Sequence, residues 1–273
     1  GLPAIISAAE NGARVLGIDR VSKVANPRED IGAIDSALQK ASFAEYSQFE
    51  IDKMEAVEDI VRYANGFINY DLVKLWANES GPMLDWITGI VERDGRMVMN
   101  FEGSIGTTGQ GARDKAWATG HSPAKTALSK DDKSFNFGVS LMEYAQEKGA
   151  EFLFATTAEY IIMQDGAVAG LVASDADGYI KINCKAVVCA CGGMGGNPEM
   201  MAYFMPDMAQ ALTGEDALTS MSANDGRGVQ MAYWAGAHLE TTPVAGMNMK
   251  GLAVPGKMNC PPQAVWIDEN GKR

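Results

Sequence analysis

Residues 185–197, Lys-Ala-Val-Val-Cys-Ala-Cys-Gly-Gly-Met-Gly-Gly-Asn, decide the fold. An apolar run from Ala186 to Ala190 breaks into Gly192, Gly193, Gly195 and Gly196, and Pro198 then opens a helix-like run to Phe204. The run suits a strand buried on both faces, and the glycines allow backbone to approach a ligand or another strand closely. Ligands of open parallel sheets sit beyond the carboxyl ends of strands, which places a candidate site at this junction. A buried strand followed by an ordinary glycine turn is the plainer alternative.

The first twenty residues, GLPAIISAAENGARVLGIDR, read as a helix, a stop at Gly12 and a short strand from Arg14 to Ile18 with Asp19 at its tip. Pro3 stands early in the helix, where its missing donor costs little. A helix followed by a strand with an acid at its end is the second half of a dinucleotide-binding unit. The first half is a strand running into G-x-G-x-x-G, and Gly1 alone matches a glycine of that pattern. The expectation is that the chain lacks that first strand and also stops early, at a turn after Trp266–Gly271.

These segments together carry a family resemblance. The 190–197 stretch resembles the A-T-G-G-F-G-G-N segment of the FAD-dependent fumarate reductase and succinate dehydrogenase flavoproteins, flavocytochrome c-like enzymes included, with Cys191 in the threonine place. Residues 1–20 resemble the family's first helix and second strand. Leu141 to Asp165, LMEYAQEKGAEFLFATTAEYIIMQD, resembles the elements before its A-T-G-G. Asn224 to Ala237, NDGRGVQMAYWAGA, resembles its G-D-G helix, and Val265 to Arg273, VWIDENGKR, the start of its substrate-covering domain.

The resemblance implies an α/β fold: a Rossmann-like FAD-binding domain over residues 1–240 and the start of a capping domain over 241–273. It implies FAD as cofactor and hydride transfer from flavin N5 to an activated C=C bond of an unsaturated carboxylic acid. A ketosteroid-type FAD dehydrogenase is the alternative in the same superfamily. A truncated, non-catalytic fragment unable to hold FAD is the alternative outside enzymes. The electron donor, a protein or a further domain, is not specified by these residues, and neither is the compartment.

By the same carry-over, the cofactor residues are Gly1; Asp19, on the adenosine ribose, with Arg20 beside it; Gly32, Ala33 and Ile34; and Ala190, Gly192, Gly193 and Asp225. Asn197 is expected to cap the following helix. Gly32-Ala33-Ile34 replaces the family's Gly-Gly turn along the flavin. Arg227 takes the place of the acid in T-G-D-G. Either Asp225 takes over that contact, or Arg227 faces a phosphate or an acidic substrate. Thr242-Pro243 falls where fumarate reductases carry His-Pro, which argues against fumarate itself. The family's catalytic acid and arginines lie beyond the position of Arg273; within this chain His121 is the one catalytic candidate.

Composition sets limits. The 273 residues are 47% hydrophobic with 30 glycines, above the ~7% average. A net charge of −12 without Lys/Arg clusters gives nucleic-acid binding little support. No apolar run is long enough to span a membrane. Cys184, Cys189, Cys191 and Cys260 form no C-x-x-C pair and no metal site is expected; they read as small buried hydrophobes, with Cys191 next to the flavin pocket. Helices are expected over Ala37–Gly66, over Asn69–Thr88 with a break or bend at Gly81-Pro82, and over Phe137–Lys148. A strand follows at Glu151–Ala155. Three short strands to Ile182 form an antiparallel meander. Glu102–Ser134, glycine-rich and without period, reads as a long loop near the active site.

Overall fold

The computed structural model describes residues 1–27, 31–64, 66–103, 117–206, 224–240 and 270–272. Among these, residues 1–27 and 138–240 form one compact unit and residues 31–137 a second.

In the first unit, α1 (Leu2–Glu10) buries Ile6 and Ala9 and has Pro in its first turn. Gly12, at φ 80°, ends it, and the Ala13 N–H closes back on Ala8 O at 3.0 Å. The chain turns into β1 (Leu16–Ile18), which runs parallel to a later strand, β5 (Glu151–Leu153), with Leu16 opposite Glu151. A Cβ on Gly17 would stand 2.7 Å from the Phe152 ring and 2.9 Å from Ile5 Cδ1, so glycine lets α1 and β5 close over this strand.

The meander forms as expected: β6 (Thr157–Gln164), β7 (Ala167–Asp175) and β8 (Gly178–Asn183), in that spatial order and antiparallel. Asp165 and Gly166 both take positive φ at the first hairpin, the two-residue turn that matches strand twist. Beyond it, α6 spans Pro198–Phe204 and α7 Arg227–Trp234. Ile161 and Leu171 of the meander bury against Met231 of α7, with Ile18 and Val187 packed alongside. A parallel pair beside antiparallel strands and helices is the α/β class expected from sequence.

In the second unit, β2 (Ile31–Gly32), β4 (Gly120–Lys125) and β3 (Met97–Phe101) form an antiparallel sheet in that order. Three helices lie between β2 and β3 in sequence: α2 (Ala37–Ala41), α3 (Lys53–Tyr63) and α4 (Tyr70–Glu92). Ile34, Ile51, Ala56, Val57, Val73 and Ala77 make their core, with Trp76 and Trp117 against it. Helix α5 (Phe137–Glu147) leads out of this unit.

Five expectations need correction. Residues 186–190 are not a buried strand: the segment is largely exposed, Val188 to 73%, and among the described residues it joins no sheet. A buried parallel strand needs ladder partners, and among the described residues β1 and β5 pair only with each other. The described cysteines are correspondingly not buried, Cys189 and Cys191 being exposed and Cys184 half-buried. Residues 37–66 are not one helix, because Ser36 and Asp52 each cap a separate start. Helix α4 runs unbroken through Pro82, where Gly81 lets the Ile34–Asp35 backbone press against it. Finally, the 102–134 stretch contains β4, its period hidden by Gly120, Ser122 and Pro123. The acid–threonine–proline segment after Glu240, Cys260 and most of Val265–Arg273 lie outside the described residues.

Candidate functional site

The site is built on the glycine turn. Gly192 takes φ 78°, and a Cβ there would stand 2.5 Å from Asn224 Nδ2, so both backbone shape and space require glycine. Two backbone bonds stitch the turn to residues 224–226. The Gly196 N–H donates to Asn224 O at 2.7 Å, and the Gly226 N–H to Gly193 O at 3.2 Å. Asn197 works on both sides. Its Oδ1 accepts the Met200 N–H at 3.0 Å, capping α6 as expected, and its Nδ2 donates to Asp225 O at 2.9 Å.

Gly193 differs from its neighbour. It is exposed, keeps an ordinary φ, and has nothing within 4 Å of where a Cβ would stand. Gly1 sits beside the preceding strand-like segment, a Cβ there falling 3.7 Å from Ala190 Cβ. Gly1 is also the N-cap of α1, and among the described residues no side chain caps that end. First-turn N–H groups without partners, and the positive end of the helix dipole, favour an anion. Cys191, Gly192 and Gly228 border a cleft of about 230 Å³ with Tyr233 and His238. A Cβ on Gly228 would collide with Cys191 Cβ at 2.8 Å, which fixes how α7 meets the turn.

Asp19 ends β1 as expected and is exposed. Its Oδ1 accepts the Val21 N–H at 3.2 Å. Arg20, next to it, reaches Asp225 across 205 residues of sequence, Nη1 to Oδ2 at 3.0 Å. Arg227 does not stand free at the acid's place: its guanidinium pairs with Glu159 of β6, and its backbone N–H donates to Asp225 Oδ1 at 3.1 Å. The first unit therefore joins Gly1 to Ala190, Arg20 to Asp225, and Gly192–Gly193 to Asn224–Gly226. Sequence reading missed Glu159 and Asn224. Glu159 lies inside an alternating strand, where nothing local distinguishes it from a solvated acid.

The remaining candidates belong to the second unit. Gly32 is exposed and its carbonyl accepts Trp76 Nε1–H at 3.0 Å. Ala33 and Ile34 are fully buried, and Ile34 packs in the helical core. Their N–H groups are already used, Ala33 on Thr119 O at 2.9 Å and Ile34 on Ser80 Oγ at 3.1 Å. Gly32 is the member of this turn left open to a ligand.

His121 is also fully buried, on β4 against the Phe101 ring. Its Nδ1 donates to Thr119 O at 2.9 Å, which leaves Nε2 to accept the Ser36 hydroxyl at 2.8 Å. Ser36 Oγ in turn accepts the Gln39 N–H and caps α2. Burial lowers the His121 pKa and keeps the ring neutral. The geometry is that of a structural link between β4 and α2.

Among the described residues no cluster of His, Cys, Asp or Glu could hold a metal ion, and no helix is long and apolar enough to cross a membrane.

Comparison with known proteins agrees with this architecture. The chain is 26% identical, over its full length, to a vinyl phenol reductase of Lactiplantibacillus plantarum, and spans 53% of that protein. It is 27% identical to an NADH:acrylate oxidoreductase of Vibrio harveyi over 75% of the chain and 19% of the relative. The chain thus spans about half, or less, of the curated relatives it matches. A flavocytochrome c3 fumarate reductase in its open conformation superposes with a TM-score of 0.62 at 20% identity, over 87% of this chain and 38% of that one. A family model described as the FAD binding domain matches residues 1–249, and the chain belongs to that family.

Proposed function

We propose that this chain is the cofactor-holding part of an FAD-dependent oxidoreductase that reduces an activated carbon–carbon double bond of an unsaturated acid or a related acceptor. The observation that carries it is the open face at Gly193, in a turn fixed by Asn224–Gly226 within the same unit as the N-terminus of α1. These residues fit a dinucleotide. Gly1 and the first turn of α1 would take the pyrophosphate, Asp19 the ribose hydroxyls, and Ala190, Gly192 and Gly193 the close backbone approach. Residues 1–240 would form the FAD-binding part and 241–273 begin the covering domain.

When bound, FAD supplies hydride at N5. The chain's own share is to orient the cofactor and keep its phosphate end on the helix terminus. The substrate class rests on the relatives, one named for a vinyl phenol and one for acrylate, both with a conjugated double bond.

The test is flavin titration followed by anaerobic turnover. The protein is expected to bind one FAD with quenched flavin fluorescence. Dithionite-reduced flavoprotein should then be reoxidised by acrylate- or cinnamate-type acids and not by succinate, which has no double bond to accept hydride. A protein that leaves FAD free in solution sinks the reading.

A further inference from the structure

Four charged side chains of the first unit form a continuous line. Arg20 meets Asp225 at 3.0 Å, Asp225 Oδ1 holds the Arg227 N–H at 3.1 Å, and Arg227 pairs with Glu159. Glu159 Oε1 then accepts the Ser174 hydroxyl at 2.6 Å, anchoring the line on β7. The side chains of both ion pairs are 28–44% exposed. Pairs this exposed contribute little to stability, so they are not what holds the unit together.

Their placement is more informative. Arg20 follows Asp19 at the tip of β1, while Asp225 is bonded through its carbonyl to Asn197, and the next residue, Gly226, to Gly193. The line thus ties the β1 tip to the glycine turn. Every charge in it is answered by the next, with Glu159 answering the arginine that replaces the family's acid.

We infer that Arg20, Asp225, Arg227 and Glu159 are positioning residues for the nucleotide cofactor. They set Asp19 and Gly192–Gly193 in register before binding, so that less ordering is left to be done when FAD arrives. The inference rests on the placement of FAD proposed above. Arg20 and Asp225, both candidate cofactor contacts from sequence, act here through each other.

The experiment compares Arg20→Gln, Arg20→Lys, Asp225→Asn and the Arg20→Gln/Asp225→Asn pair in the whole chain. FAD affinity, urea midpoint and amide exchange of the FAD-free protein at residues 193–197 are read for each. Each neutralising substitution is expected to weaken FAD about three- to tenfold, to speed exchange at the turn, and to leave the midpoint nearly unchanged. The double variant should be no weaker than Asp225→Asn alone, and Arg20→Lys should recover most of the affinity. Additive losses would mean that Arg20 touches the cofactor directly and would overturn the inference. So would unchanged affinity with unchanged exchange. If the parent protein takes up no FAD, the proposed function falls, and the exchange data alone decide whether the charge line orders the turn.

Discussion

Gly192 and Gly193 are adjacent and chemically identical, yet the structure assigns them opposite sensitivities to one methyl group. At Gly192 an alanine would have to hold φ 78°, which costs an L-residue about 1–2 kcal/mol. Its Cβ would also displace the Asn224 side chain from 2.5 Å, at a cost of about another 1 kcal/mol in disturbed hydrogen bonding. Gly192→Ala is therefore expected to lose about 2–3 kcal/mol of stability. At Gly193 the methyl meets open space at an ordinary φ, so stability should stay within about 0.5 kcal/mol. If that space is where the cofactor lies, Gly193→Ala should still weaken FAD by about tenfold or more, equivalent to about 1.4 kcal/mol. Urea unfolding followed by circular dichroism gives the first quantity, and titration of flavin fluorescence the second. A Gly193→Ala protein that binds FAD like the parent would refute the placement of the cofactor on this face. Equal destabilisation by both substitutions would refute the geometry of the turn.

Three further outcomes are expected. Gly81→Ala sets helix propensity, a gain of about 1 kcal/mol, against overlap with the Ile34 carbonyl. The overlap should win by about 1–2 kcal/mol, and a raised urea midpoint would contradict it. Asn197→Ala should cost about 1–2 kcal/mol through the lost α6 cap, while Asn197→Ser keeps a capping oxygen, loses only the bond to Asp225 O, and should fall between. His121 gives a pH dependence of known sign. Its folded pKa lies below the ordinary ~6.5, so the neutral ring contributes fully above that pH. As pH falls below it, the unfolded chain takes the proton first and stability drops until the folded pKa is reached. Urea midpoints at pH 7.5 and 5.5 should differ by less in His121→Phe, which keeps ring volume but cannot titrate.

The fold class was legible because its signals are local: the early Pro and terminal Gly12 of α1, the Asp165-Gly166 turn, the alternation of the meander. The glycine turn was legible for the same reason, since Gly192 and Asn197 are required by backbone shape and by a cap. What escaped reading depends on partners far along the chain. The apolar run at 186–190 has the composition of a buried strand, but a strand is a relation between segments, and this one pairs with no described residue. Pro82 reads as a break because its missing N–H is visible in sequence, while the Ile34–Asp35 backbone that seats against Gly81 is not.

The two departures from the family pattern show how far residue-by-residue transfer carries. Ile34, at a turn where glycine is usual, turns its side chain into the helical core and gives its N–H to Ser80. With the Ala33 and Ile34 N–H groups spent within the protein, exposed Gly32 is the residue of this turn left with backbone to offer a ligand. Arg227, in the place of an acid, is balanced by an acid 68 residues earlier on a different element. In both cases the residue's polar group is spent on a partner within the protein. Identity at a motif position is then a weaker guide than the question of which N–H, carbonyl or charge at that position is still unspent. Gly1, Asp19, Ala190 and Gly193 are exposed candidates of the first unit, and the cofactor should be sought there first.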